Sequence, residues 1–403
     1  MISIDEALQT ILREARPLTP ERVPIEEAVG RTLAEDIIAD MDLPPFDRAQ
    51  MDGYAVRAED AVPSARLRVV GEAAAGRSWP HSLRNGQAVR IMTGAPVPAG
   101  AEVVVPIEQT REVDEETIEL LTALQSGSNI VPRGSETREG VRLFEAGETI
   151  NANMIATLAA FGYTSVDVIL RPRLTIIATG DELVPADRKP ARDQIRDSNS
   201  HAIAACARIA RARIERTFLV GDEMETLERR LSEESEQVEI IVLSGGVSVG
   251  RYDLTKAALR SLGAQIFFER VRLRPGKPTV FAKLNRALVF GLPGNPVSAI
   301  VTFNLFVRAC ARAMQRAKDP LLREERAVLA AKVRGTRGRV SLLPARLATN
   351  EDGRLIAHPL QWGGSSDFVS FARAEALIFV PEDAELEGGT CARVLLLPTA
   401  LPC

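Results

Sequence analysis

Two hydrophobic periods alternate between residues 171 and 319. Leu174–Ala178, Ile214–Val220, Val238–Leu243 and Ala287–Phe290 are short continuous apolar runs, the pattern of strands covered on both faces. Between and after them, Ser200–Arg213, Glu225–Glu234, Leu254–Leu262 and Pro296–Arg316 repeat apolar positions at helical spacing. The alternation predicts a mostly parallel, three-layer α/β domain. Upstream, from 45 to 138, the runs shorten to Leu67–Val70, Ala88–Met92, Glu102–Pro106 and Thr117–Leu121, broken by Gly and Pro as in a small all-β domain. Beyond 320, runs such as Leu377–Val380 and Ala392–Leu397 predict a small β-barrel or sandwich without helix. Helical stripes are read at Ile4–Arg13, Leu33–Ile38 and Ala152–Phe161, the first opened by a capping box of Ser3 and Glu6.

Composition narrows the class. The chain has 403 residues, 45% hydrophobic and 26% charged, enough for several cores and too apolar for a disordered chain. Its net charge of −4 excludes a generally basic nucleic-acid surface. No apolar stretch is read as long enough to span a bilayer, and the N-terminus lacks a basic region followed by an apolar core, so no membrane association and a cytoplasmic location are expected. The four cysteines, at 206, 310, 391 and 403, show no C-x-x-C spacing and are expected as reduced thiols. Six of the 50 basic residues are lysines, which makes Lys277, set in Arg274-Pro275-Gly276-Lys277-Pro278, a scarce choice of residue in a stiff loop.

The chemistry-bearing residues gather where the α/β strands end. Thr179-Gly180-Asp181-Glu182, Gly221-Asp222, Ser244–Gly250 and Gly291–Pro296 each follow an expected strand. Glycine turns that run into helices offer free backbone N–H groups to an anion, so this rim is expected to bind phosphate or another oxyanion. No G-x-x-x-x-G-K-[ST] or G-x-G-x-x-G motif is present, which argues against a P-loop nucleotidase or a dinucleotide site. Carboxylates beside an anion repel it unless a cation intervenes. Glu182, Asp222 and Asp253 follow strand ends and are therefore candidate Mg²⁺ ligands, with helix capping as the alternative role for Asp222 and Asp253. Arg272, Arg274 and Lys277 supply compact positive charge.

These residues belong to a longer pattern: Pro45-Phe46-Asp47, Met51-Asp52-Gly53-Tyr54-Ala55-Val56, Met92-Thr93-Gly94-Ala95-Pro96, Thr179–Leu183, Asp197-Ser198-Asn199, Ser244–Gly250, Pro275–Pro278 and Gly291–Pro296. From about residue 3 to 400 the chain resembles the MoeA/gephyrin E-domain family of molybdopterin molybdenumtransferases. The resemblance implies multidomain α/β plus β architecture. Its parts would be an elongated helical connector of residues 1–44 and 139–170, a small β domain inserted at 45–138, a molybdopterin-binding α/β domain at 171–319 and a C-terminal β-barrel at 320–403. It also implies a homodimer with the site shared between protomers, and insertion of molybdate into adenylylated molybdopterin with Mg²⁺-dependent release of AMP. Carried over by motif, Asp52, Thr93, Glu182, Asp222, Asp253 and Lys277 would be catalytic. Asp197, Ser198, Asn199, Ser244, Gly245, Gly246, Ser248, Gly250, Arg274, Gly276, Pro293, Gly294, Asn295 and Pro296 would bind substrate, with other molybdenum cofactor biosynthesis proteins as partners.

The chain departs from the family pattern at Arg48-Ala49-Gln50, where a hydroxyl is lost, at Glu136, one methylene longer than the usual carboxylate, and at Arg274, where lysine is common. These departures leave open a tungstate-preferring paralogue. An adenylyltransferase and a purely structural scaffold are the remaining alternatives. The Met-Asp-Gly-Tyr segment and C-terminal barrel argue against the first, and the joint presence of Asp52, Glu182, Asp222, Asp253 and Lys277 against the second.

Overall fold

The computed structural model describes residues 1–245 and 254–398. They divide into two compact units: residues 1–35, 146–156, 164–245 and 254–398 form one, and residues 36–145 and 157–163 the other.

The first unit is built on a six-stranded sheet. Its strands are β1 (Arg173–Thr179), β2 (Arg213–Val220), β3 (Ile240–Ser244), β4 (Gln265–Phe268), β5 (Val280–Leu284) and β6 (Ala287–Leu292), in the order β2-β1-β3-β6-β5-β4. The four strands β2, β1, β3 and β6 run parallel, and β5 and β4 are antiparallel additions at one edge. Ile176, Val242 and Phe290 face one hydrophobic cluster, Ile177, Leu243 and Val289 the other. Burial on both faces is why these strands read as unbroken apolar runs. Helix Ile4–Glu14 is closed by the expected capping box: Glu6 N–H donates to Ser3 Oγ at 3.1 Å and Ser3 N–H to the Glu6 carboxylate at 2.7 Å. Its Ala7 and Ile11 are fully buried in the same cluster as Leu174 and Phe290, so this helix covers the sheet.

One expected helix is absent. Ile37–Ile38 is a strand of the second unit, paired antiparallel with Arg142–Phe144. Ile37 is buried and its neighbour Ile38 exposed, an alternation with period two that a β-branched pair supports better than a helical turn. The long helix after β6, Pro296–Met314, has the length and hydropathy of a membrane-crossing segment, against the expectation that no apolar stretch is long enough. It is mostly buried in the α/β core, and this explains its apolar composition. Residues Phe303–Val307 within it adopt a π-helical turn.

The C-terminal strands Glu324–Leu329, Val340–Thr349, Leu355–Pro359, Ala376–Val380 and Cys391–Leu396 close on themselves into a five-stranded barrel. Ala327, Ala345, Ala357, Ala376 and Ala392 are buried in its core, small side chains that a barrel of so few strands can enclose. A short helix, Phe368–Phe371, corrects the helix-free expectation for this region; Asp367 caps it by accepting the Ser370 N–H at 3.1 Å.

In the second unit, Val103–Pro106, Gly53–Val56, Gln87–Ile91, Arg66–Ala73, Thr117–Leu120 and Thr110–Asp114 lie side by side in that order. Separate apolar clusters cover the two faces, one containing Tyr54, Val56 and Leu67, the other Ala55, Val89 and Ile91. Gly53 is required here, since a Cβ would stand 2.0 Å from the Val105 carbonyl oxygen.

Candidate functional site at the carboxyl ends of the parallel strands

The parallel strands β1, β3 and β6 end on a cleft of about 1200 Å³. Such sheets expose their loops, and their ligand sites, at this end. From β1 come Thr179, Gly180 and Glu182; from β3, Ser244 and Gly245; from β6, Pro293, Gly294, Asn295 and Pro296. Asp222, just beyond β2, and Asp197, Ser198 and Asn199, at the start of helix Asn199–Ile209, complete the set of expected residues that line it. Gly246, Ser248, Gly250 and Asp253 lie outside the described residues.

Asn199 holds three of these loops in register. Its Nδ2 donates to Ser244 Oγ and to the Gly294 carbonyl, each at 2.8 Å. Its Oδ1 is buried and accepts no hydrogen bond among the described residues. Gly245 takes a φ of +98°, and a Cβ there would meet the Thr179 carbonyl oxygen at 2.4 Å. Substitution would therefore push two strand ends apart. Asp197 has a structural task as well: it is buried and accepts the Ser200 N–H at 3.0 Å, capping the helix that carries Asn199.

Negative charge accumulates on one side of the cleft. Asp222 N–H donates to Asp181 Oδ1 at 2.9 Å, which brings the two carboxylates together. Desolvation, then the charges of Asp181 and Glu182, hold the Asp222 carboxyl above its usual range. A group that resists ionisation among like charges is ready to accept a cation. Among the described residues no group of three His, Cys, Asp or Glu side chains is placed to hold a metal ion by itself. The donors present nonetheless suit Mg²⁺, which prefers carboxylate oxygen and completes its shell with water and substrate phosphate, commonly using only one or two protein ligands.

The remaining candidates lie elsewhere. Arg274 donates to Thr336 Oγ1, and Leu273–Arg274 pairs in parallel with Val340 and Ser341 of the barrel. Gly276 and Lys277 do not line the cleft, whereas Pro278 does. The Lys277 loop is fixed by Val271 N–H donating to the Lys277 carbonyl at 3.0 Å and Thr279 Oγ1 donating to the Gly276 carbonyl at 2.7 Å. The Lys277 ammonium forms no ion pair among the described residues. Sequence reasoning missed Ser366 and Phe368, which line the cleft from the C-terminal segment. Their loop is joined to it by Asn295 Nδ2 donating to Ser365 Oγ at 2.8 Å and Val297 N–H to the Ser365 carbonyl at 3.1 Å. The run Gly363-Gly364-Ser365-Ser366 was the only signal available for it.

In the second unit Asp52 and Thr93 form a separate cluster. The Thr93 backbone N–H and hydroxyl both donate to Asp52 Oδ1, at 2.6 and 2.7 Å. These two bonds, backbone first, hold the Asp52 carboxyl below its usual range. Close by in sequence, Arg48 pairs with Glu136 at 3.0 Å, so two departures from the expected pattern meet each other.

A parallel sheet with a glycine-lined, carboxylate-flanked cleft at its strand ends, joined to a closed barrel, defines a multidomain α/β ligand-binding protein. Family models match almost the whole chain: "MoeA N-terminal region (domain I and II)" at residues 2–162, "Probable molybdopterin binding domain" at 175–313 and "MoeA C-terminal region (domain IV)" at 326–397. The chain belongs to the MoeA family. It is 35% identical over 98% of its length to a molybdopterin molybdenumtransferase of Bacillus subtilis, covering 94% of that protein. It is 33% identical over 97% of its length to molybdopterin molybdenumtransferase 2 of Mycobacterium tuberculosis, covering 98% of it. A crystal structure of the molybdopterin biosynthesis MoeA protein from Pyrococcus horikoshii superposes with a TM-score of 0.85 at 27% identity, over 98% of this chain and all of that one.

Proposed function

We propose that this protein is a molybdopterin molybdenumtransferase of molybdenum cofactor biosynthesis, taking adenylylated molybdopterin and molybdate as substrates and releasing AMP. The observation that carries the reading is the convergence of three strand-end loops and Asn199 on one cleft within the segment matched by the molybdopterin-binding model. The backbone N–H groups and hydroxyls of these loops bind the phosphoanhydride, and Asn199 Oδ1 accepts from a substrate N–H. Glu182 and Asp222, with Asp253, would hold Mg²⁺, which when bound would supply positive charge against the phosphates and the leaving adenylate. Lys277, next in sequence to Pro278 of the cleft lining, is assigned to anionic charge on the substrate, and Arg274 anchors its loop to the barrel.

Asp52 and Thr93 belong to the second unit. They act in a homodimer, where one protomer's Asp52 orients a reacting group in its partner's cleft. The four-domain division at residues 44, 139, 171 and 320 belongs to the same reading. The free thiols of Cys206, Cys310 and Cys391 suit a reducing cytoplasm, where other molybdenum cofactor biosynthesis proteins supply the substrate and receive the product. A solely adenylyl-transferring role is disfavoured, because the chain carries the N- and C-terminal MoeA regions as well.

The test is AMP release from adenylylated molybdopterin by purified protein with Mg²⁺, with and without molybdate, and with tungstate in a parallel arm. Stimulation by molybdate is expected. Release indifferent to either oxyanion would reject the reading, and stimulation by tungstate alone would favour the paralogue.

A further inference from the structure

A second basin, of about 880 Å³, opens at the other end of the α/β sheet. Arg173 and Arg213 are the first residues of β1 and β2, while Glu239 and Arg286 immediately precede β3 and β6. All four line it. The basin therefore lies at the amino ends of strands whose carboxyl ends form the cleft, about 17–23 Å away at the usual rise per residue. It is a separate place on the molecule.

Part of its charge is neutralised internally. Arg173 and Arg286 share Glu239, at 2.7 and 2.8 Å, and Arg31 pairs with Glu21. The rest is not. Arg31 is 6% exposed; its Nη2 donates to the Ile169 carbonyl at 2.9 Å, and its buried Nε has no acceptor among the described residues. Arg171, at the mouth, has no hydrogen bond or ion pair among the described residues. Desolvation, then the like charges of Arg31 and Arg211, hold its guanidinium below the ordinary arginine range. Glu27 stands on the lining without a cationic partner among the described residues and opposes any anion that enters.

We propose that this basin is a binding site for a small phosphate-bearing molecule, held by Arg171 and Arg31. Five guanidinium groups against three carboxylates on the lining, with Arg171 itself unpaired, call for oxygen acceptors, and guanidinium forks match phosphate oxygens two at a time. Against Glu27, a singly charged carboxylate gains little from the site, whereas a multiply charged phosphate still gains. The volume exceeds that of a bare phosphate and lies within the range of pockets for small organic ligands, so an organic body accompanies the charge.

The test uses the full chain and a direct binding readout, so its failure leaves the reaction proposed above untouched. Inorganic pyrophosphate and AMP are titrated by calorimetry into wild type and Arg171→Gln, the latter outside the catalytic cleft and at an accessible position where folding is preserved. Wild type should show a second class of site beyond the cleft, for one or both probes. Arg171→Gln should weaken that class at least tenfold, with unchanged melting temperature and AMP release. If pyrophosphate alone binds there, the anion suffices; if only AMP binds, the organic body is part of the ligand. A single class of site in wild type, or affinities unaltered by Arg171→Gln, overturns the proposal.

Discussion

Asp52 and Asp222 are both exposed carboxylates in glycine-rich turns, yet their surroundings push them in opposite directions. In the β unit, two donors from Thr93 converge on one Asp52 oxygen and favour the ionised form. In the α/β unit, desolvation and the charges of Asp181 and Glu182 disfavour ionisation of Asp222. The first carboxylate is complete as the protein folds, with its charge fixed and its oxygen aimed. The second carries a desolvation and repulsion cost that a cation, if bound, would relieve. Two carboxylates of the same residue type are thus distinguished by their neighbours alone.

The largest effect expected from this contrast concerns the metal. Excess chelator should abolish AMP release and Mg²⁺ should restore it, because phosphates cannot approach Asp222, Asp181 and Glu182 otherwise. Turnover that persists in chelator would remove the cation from the account of Asp222. Next comes Lys277, whose substitution by alanine should lower turnover roughly 10²–10³-fold while leaving the melting temperature unchanged, as for loss of one oriented donor at a developing charge. Lys277→Arg should recover only part of it, since a planar fork does not replace a compact ammonium. A sharp fall in melting temperature with normal turnover would make this lysine structural.

A smaller effect is expected at Thr93. Thr93→Val removes the hydroxyl donor and keeps the backbone N–H, so turnover should fall about tenfold, in line with one charge-assisted hydrogen bond. The Asp52 carboxyl should also move up toward its ordinary range, which NMR titration of the side chain would follow. No movement would mean that the backbone N–H alone sets its ionisation.

The smallest effects are on stability and carry opposite signs. The raised Asp222 carboxyl contributes stability that is complete below its unfolded value of 3.8 and is lost as pH rises through the folded value. Asp52, lowered from 3.8, contributes stability above that value and loses it as pH falls through the folded one. At neutral pH, Asp222→Asn should therefore melt slightly higher than wild type and Asp52→Asn slightly lower, each by less than about 3 °C. Melting curves between pH 3 and pH 7 check this, and shifts of the same sign in both variants would erase the contrast.

What could be read from the chain alone was whatever depends on local pattern. Strands buried on both faces announce themselves as unbroken apolar runs, and Ser3 with Glu6 opens a helix through contacts three residues apart. Glycine turns after strands pointed to the cleft because a parallel sheet always presents those ends together. Three-dimensional packing decided the rest. Ile37–Ile38 became a strand because Arg142–Phe144, a hundred residues on, offered it a partner. Pro296–Met314 is a core helix because other elements bury it. Ser366 and Phe368 reach the cleft only because Ser365 is hydrogen-bonded to Asn295 and Val297. The opposite tuning of Asp52 and Asp222 likewise depends on Thr93 and Asp181, each 41 residues from its carboxylate. Electrostatic environment is a sum over neighbours in space, and a sequence lists its neighbours only along the chain.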